Sequence, residues 1–484
     1  MLKITVEVYP EIVMKFWSDL LCSGRSAFIL TSLSIKRTFV RRSRMKKFVS
    51  VVVVLLLAAG ISAPYVSGMI AEKQLRALTE KCNTMYKEAT LGASLEIVRY
   101  DRSYSSSEVD WKYNLGPLSS LYGTQEILFH DTVKHGLTGV VAETTLMNNP
   151  KYAEFVKTKL AGKDPLHITT QYSLMGNSAI TTKLDPFSLD VAGKTLQIKP
   201  AHVVMNVDKE LKHFTYEGSW DGMGVDDQAA LEGVSLQADM RMESIYLWNG
   251  FGTMVAEGGW IKDGNKPFSF ANFKFNYVSD YSKENDRFST KMEYSTDSID
   301  AGGEKIDNAF VGLALNNINA SAYEELLVMY MQAFNRALTS LGANGQDPKE
   351  VEKALEKEMK TIGMQLLGPA EKMMAKGLEL QVSDLHFTLP QGKVTGDISV
   401  GLKKDMTLAQ FMPLSQDPTL AFDIFSLQSH CSLPKALLAG KPELFQPMTG
   451  GMQTGIFVEQ GEQAQHVAEI KDGKLLLNGK EVQL

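Results

Sequence analysis

The residues with the chemistry of a site are few. His130, Asp131 and His135 place one carboxylate between two imidazoles, a set that can hold a metal or move a proton. On an extended strand, however, His130 and His135 differ by an odd number and point to opposite faces. Gly193-Lys194-Thr195 ends like a phosphate loop, but Ser188 stands where the first glycine belongs and the flanks read as two strands joined by a turn. Zinc-protease, nucleophile-elbow and calcium-loop patterns are missing from the sequence. No catalytic residue, cofactor or metal site is therefore expected. The alternative is an enzyme with an unrecognised site near His130, Asp131 and His135.

Three cysteines are present. Cys22 falls in a leader-like segment, leaving Cys82 and Cys431 as an even pair that an oxidising compartment could bridge or leave as separate thiols. His430 beside Cys431 is no ligand spacing for a metal.

Elements that would carry such residues begin with an apolar run. Lys46-Lys47 precedes 24 uncharged residues, Phe48 to Ala71, enough for a transmembrane helix. Basic residues crowd the amino side and Glu72 opens the other, which predicts a single-pass inner-membrane anchor with the bulk of the chain in the periplasm. Ala58-Ala59-Gly60 also offers a cleavage site, while Pro64 and the apolar residues beyond it favour an uncleaved anchor. Residues 1–44 read as a cytoplasmic tail or as a mis-start ahead of Met45. Eight basic and three acidic residues fall before Met45, which leaves 42 basic and 53 acidic from there on, a net of −11. An acidic surface of that kind excludes a nucleic-acid partner.

Residues 72–92 carry Leu75, Leu78, Cys82 and Met85 at helical spacing, a stalk. From 93 to 320 the period becomes two, and Asp-Pro, Asp-Gly and Gly-Gly turns separate the strands, which predicts an antiparallel meander with one apolar face. A helical insertion over 321–377 follows. Ser321 to Glu324 reads as a capping box, and Asp347-Pro348 starts a second helix that Pro369 kinks or restarts. The stripe Tyr330, Met331, Phe334 and Leu338 is either core facing the sheet or the lining of an apolar cleft for a ligand. Strands resume over 378–484, with a register flip at Ser383-Asp384 and tight hairpins at Asp472-Gly473 and Asn478-Gly479. The fold expected is α+β: a transmembrane helix, then a long curved, mainly antiparallel, groove-like sheet with an inserted helical block.

Ala63-Pro64-Tyr65-Val66-Ser67-Gly68, the Leu95-Glu96-Ile97 strand leading to Tyr104-Ser105-Ser106, Val133-Lys134-His135-Gly136 and the closing segment Lys471 to Gly479 resemble the YdgA-like family of bacterial envelope proteins. The likeness runs from Met45 to the end. Where the family has a proline after the His-Gly pair, this chain has Leu137. The resemblance implies an inner-membrane-anchored periplasmic protein of unknown function that can pair as a homodimer, and brings no catalytic residues. A more distant likeness to AsmA-type β-groove proteins points to lipid handling by analogy of architecture. The partners expected are thus the membrane, a second copy, and an envelope protein or lipid.

Overall fold

A computed structural model describes residues 35–482 apart from 148–149, 192, 263–266, 343–346, 441–451 and 453. The chain divides into two compact units, Met1–Ser62 and Ala63–Leu484. The first helix, α1 (Ile35–Glu88), runs through the division. All that follows concerns the second unit.

Twenty-two strands join one sheet. Short hairpins β1 (Ser94–Arg102), β2 (Ser106–Asn114), β3 (Glu126–His135), β4 (Gly139–Met147), β5 (Leu166–Ser173) and β6 (Ser178–Leu184) form its first part. The hairpin of β7 (Phe187–Val191) and β8 (Lys194–Ile198) then steps aside, and β9 (Ala201–Val207) returns to pair with β6. Gly193-Lys194-Thr195 belongs to that hairpin, so no helix follows it to cradle a phosphate. The longest strands are β10 (His213–Val225), β11 (Ala229–Met242), β12 (Trp248–Ile261), β13 (Phe268–Ser282), β14 (Arg287–Ala301) and β15 (Glu304–Asn319). Beyond the helices lie β16 (Glu379–Leu389), β17 (Gly392–Leu402), β18 (Phe425–Pro434), β19 (Val458–Gln460), β20 (Gln463–Lys471), β21 (Lys474–Leu477) and β22 (Lys480–Glu481). Each sequential pair from β9 to β18 is antiparallel; short connections join β9 through β15 and β16 to β17, as antiparallel neighbours allow, while longer helical segments join β15 to β16 and β17 to β18.

Among the described residues strand makes up 53% and helix 28%, so the sheet organises them, and the expected α+β chain headed by a membrane helix is corrected. Among the described residues no helix is long and apolar enough to cross a membrane. Of the expected span, Phe48 to Ala71, residues 48–59 lie outside those whose side chains are described, and its carboxyl end packs on the sheet. Ser67 and Ala71 are buried, and Ala71 packs with Val109, Val133, Val140 and Ala142 of the sheet. A segment seated on a sheet cannot also present that face to acyl chains.

Helix α2 (Ala320–Leu341) and helix α3 (Pro348–Met373) pack on each other. Asn319, not Ser321, caps α2: its side chain accepts from the Ala322 amide at 2.8 Å. Glu324, expected to complete a capping box, instead accepts from the Ser244 hydroxyl. Asp347 caps α3 by accepting from Lys349 N at 2.9 Å, with Pro348 leading. Pro369 lies inside α3, which continues to Met373. The two tail hairpins turn on Asp472 (φ 52°) with Gly473 (φ 73°) and Asn478 (φ 50°) with Gly479 (φ 77°), the left-handed pairs that two-residue hairpins require.

Candidate ligand-binding face

The His130, Asp131 and His135 set is split by the strand that carries it. His130 lies on one face of β3, where Nδ1 is 2.7 Å from Asp110 and Nε2 is 2.9 Å from Glu108. Arg99 closes the same group by donating to Asp110 at 2.6 Å, and the guanidinium and His130 together hold the Asp110 carboxyl below its usual range. His135 is buried on the other face. Its Nδ1–H donates to the Tyr104 carbonyl at 3.3 Å, which leaves Nε2 to accept the Ser107 hydroxyl at 2.8 Å. Gly68 of α1 lies directly over that ring, where a Cβ would stand 2.2 Å from the imidazole. His135 is thus a fixed packing contact between helix and sheet. Asp131 shares its buried face, and burial pushes its carboxyl up.

Cys82 and Cys431 are separate free thiols, one on α1 and one on β18, so the bridge that the even count allowed is absent. Burial raises both thiols.

The α2 stripe is not one surface. Leu338 is fully buried, Met331 and Phe334 are half-buried, and Tyr330 is exposed with its ring stacked on Phe334 at 6.4 Å. Ala333 and Ala337 are buried beside them, as tight helix packing requires. Core packing accounts for Leu338. The cavities described below are lined by other residues.

An extended apolar surface belongs to the sheet. Register sets Leu236, Met254, Phe275, Tyr294, Val311 and Leu385 in one row across six strands. A neighbouring row holds Ala238, Gly252, Tyr277, Met292, Leu313 and Val382. Phe275 and Tyr294 meet with ring centroids 5.0 Å apart. The opposite face carries polar pairs beside the exposed Phe251 and Val278: Thr253 donates to Asn276 at 3.0 Å, and Asn276 to Glu293 at 3.3 Å. Lys291, 2.7 Å from Glu293, lowers that carboxyl. Leu236, Leu380 and Ile398 keep 38%, 60% and 39% of their surface, so the apolar face stays open to solvent along part of its length.

A line of irregular residues crosses this face. Pairing on either side leaves Gly233 and Glu257, then Asn272, then Asp297 and Asn308 unpaired at one level from β11 to β15. Gly233, Asn272 and Asn308 take φ of 43°, 51° and 50°, and Asn272 donates to Asp297 at 2.6 Å. The apolar parity changes at that line in every strand. On β13 it passes from Phe273, Phe275 and Tyr277 to Phe268 and Phe270; on β11, from Leu236 to Leu231. Phe270 and Phe273 touch edge to face at 6.4 Å, so both sets share one face.

At the far end of the continued face lies a cavity of about 190 Å³ lined by Met223, Val225, Leu231, Ile261, Phe268 and Phe270. Its floor is Gly259, where a Cβ would meet the Phe270 ring at 2.5 Å. A larger trough of about 500 Å³ lies over β4, β5, β6, β9 and β10 and is mixed in character, with Val140, Tyr172 and Val207 beside Gln171, Asn206 and Asp208. The alternation of the strands pointed to an apolar face. The switch line was missed, though Asn272 and Asn308, polar interruptions at the parity change, carried the signal.

Comparison with curated proteins and with solved structures finds no match. A family model matches residues 45–484, nearly the whole chain. By that match the chain belongs to DUF945, a family of bacterial proteins of unknown function.

Proposed function

We propose that this bacterial protein is a noncatalytic component of the cell envelope, working outside the cytoplasm and holding an apolar, chain-like ligand on the apolar face of its sheet. The observation that carries the reading is the continuity of that face. Five strands, β11 to β15, change parity at one level, with left-handed backbone at Gly233, Asn272 and Asn308, and the outcome is a continuous apolar track ending in an apolar cavity. Packing alone does not require a face with Leu380 at 60% exposure; a chain-like apolar ligand would cover it. Export is supported by the basic residues ahead of the uncharged run in the sequence, by the acidic balance of the remainder and by the likeness to YdgA-like envelope proteins.

The test is mass spectrometry of the lipid extract of the full chain purified from a bacterial host. Acyl lipids near one equivalent, reduced in Leu236→Gln and Met254→Gln proteins of unchanged fold, support the reading. A lipid-free wild-type protein that also takes up no added fatty acid overturns it.

A further inference from the structure

Asp131 plays no part in the apolar face. It is 4% exposed, its Oδ1 has no hydrogen-bond partner, and on β3 it stands between Val109 of β2 and Thr144 of β4. Trp111 and Thr144 are its polar contacts. The groups that face it are acids themselves: Tyr172 of β5 adjoins both Asp131 and Cys82 of α1, with Tyr100 of β1 beside it. His130 is the nearest base, but it sits on the opposite face, engaged by Asp110 and Glu108. Asp131 therefore lies in the seam between α1 and the sheet, where the basic groups are engaged elsewhere: Arg76 lies over the Tyr100 ring and pairs with Glu72, Arg102 lies over the Tyr65 ring, and His135 on the same face gives its two ring nitrogens to Tyr104 and Ser107. With none of them bonded to Asp131, an ionised carboxylate is costly there and a neutral acid is tolerated.

The seam can open without unfolding the sheet. Strands β1 to β5 pair with one another through their own ladders. Polar ties from α1 are peripheral: Gln74 donates to the Leu174 carbonyl at 3.1 Å, Lys81 to the Lys209 carbonyl at 2.9 Å, and Asn83 exchanges two bonds with Leu95. The packed part of the seam is Ala71 and Leu75 on the Val109, Val133, Val140 and Ala142 cluster, Gly68 on His135, and the ring pairs Tyr65 with Tyr104 and Tyr86 with Tyr113, contacts between helix and sheet that leave the strand ladders intact when they part.

We propose that Asp131 makes residues 63–88 of α1 a proton-dependent strap, seated on the sheet while the acid is neutral and released when it ionises. Release uncovers Val109, Val133, Val140 and Ala142 as a second apolar surface.

Hydrogen exchange of the full chain, followed by mass spectrometry across pH and corrected for intrinsic rates, tests this. Opening of peptides within 63–88 should accelerate about tenfold per pH unit as pH rises from the ordinary carboxylate range toward the raised pKa of the seated acid and level off above it, while β11 to β15 stay protected. Asp131→Asn should abolish that dependence. Thr144→Val, which removes a bond to the carboxylate, should move the upper limit of that rise to higher pH without abolishing the dependence. A helix whose protection does not change with pH, a loss of protection spread equally over β11 to β15, or an Asp131→Asn or Thr144→Val profile identical to wild type would each overturn the strap.

Discussion

The rings of Phe270 and Phe273 meet edge to face at 6.4 Å although an odd number of positions separates them on one strand. Regular alternation forbids that contact. Asn272 between them, at φ 51°, turns the strand over so that both rings stay on the apolar face. The first expectation follows from it. Asn272→Val sets a β-branched residue in left-handed backbone and removes the bond to Asp297, and should cost at least about 1–2 kcal/mol in denaturant unfolding. Asn272→Gly, which keeps the backbone freedom, should cost less.

Core and exposed surface separate on α2. Leu338→Ala should cost about 2–5 kcal/mol, because the residue is fully buried, while Tyr330→Ala on the exposed side should change the melting temperature far less. Neither should alter lipid bound to the apolar face. Melting curves and lipid extraction on the same samples check both.

Gly68 and His135 form one contact. Gly68→Ala places a methyl in the imidazole and should lower the melting temperature, and Gly68→Ala combined with His135→Ala should lose less than the sum of the single changes. Strict additivity in that cycle would mean the two do not pack.

Acid should weaken the polar face of the short strands. Arg99 and His130 hold the Asp110 carboxyl below its unfolded value, so its contribution is present above the unfolded pKa and lost as pH falls through the folded one. Asp110→Asn should therefore be less stable than wild type near neutrality and equal to it in strong acid, as read by urea titration at each pH.

Much of the sheet was legible because alternation and turn chemistry are local. The hairpins at Asp472-Gly473 and Asn478-Gly479 and the flip at Ser383-Asp384, seen as a shift between Val382 and Leu385, were written in a few adjacent residues. The site was less legible because it depends on distant pairing. Nothing local to Phe268 or Leu231 shows that they continue the face of Phe275 and Leu236, since that follows only once six strands are in register. Nor does the apolar run ending at Ala71 disclose that Ser67, Gly68 and Ala71 seat on β2 to β4, because that partner lies some forty to seventy residues away along the sequence. The α2 cap failed for a smaller reason: Asn319 outcompetes Ser321 one turn position earlier, and Ser244 takes the Glu324 carboxylate.

The central claim is that the apolar sheet face holds an acyl chain, and covalent mapping reads it most directly. The full chain is irradiated with palmitate carrying a diazirine on its tail, digested, and the adducts are located by mass spectrometry. Adducts should fall on the apolar rows, at Leu236, Met254, Met292 or Val311 and in the Phe268 to Phe270 cavity, and unlabelled palmitate should compete them away. Adducts confined to the opposite face around Thr253, Asn276 and Glu293, or labelling that excess palmitate leaves unchanged, would contradict it.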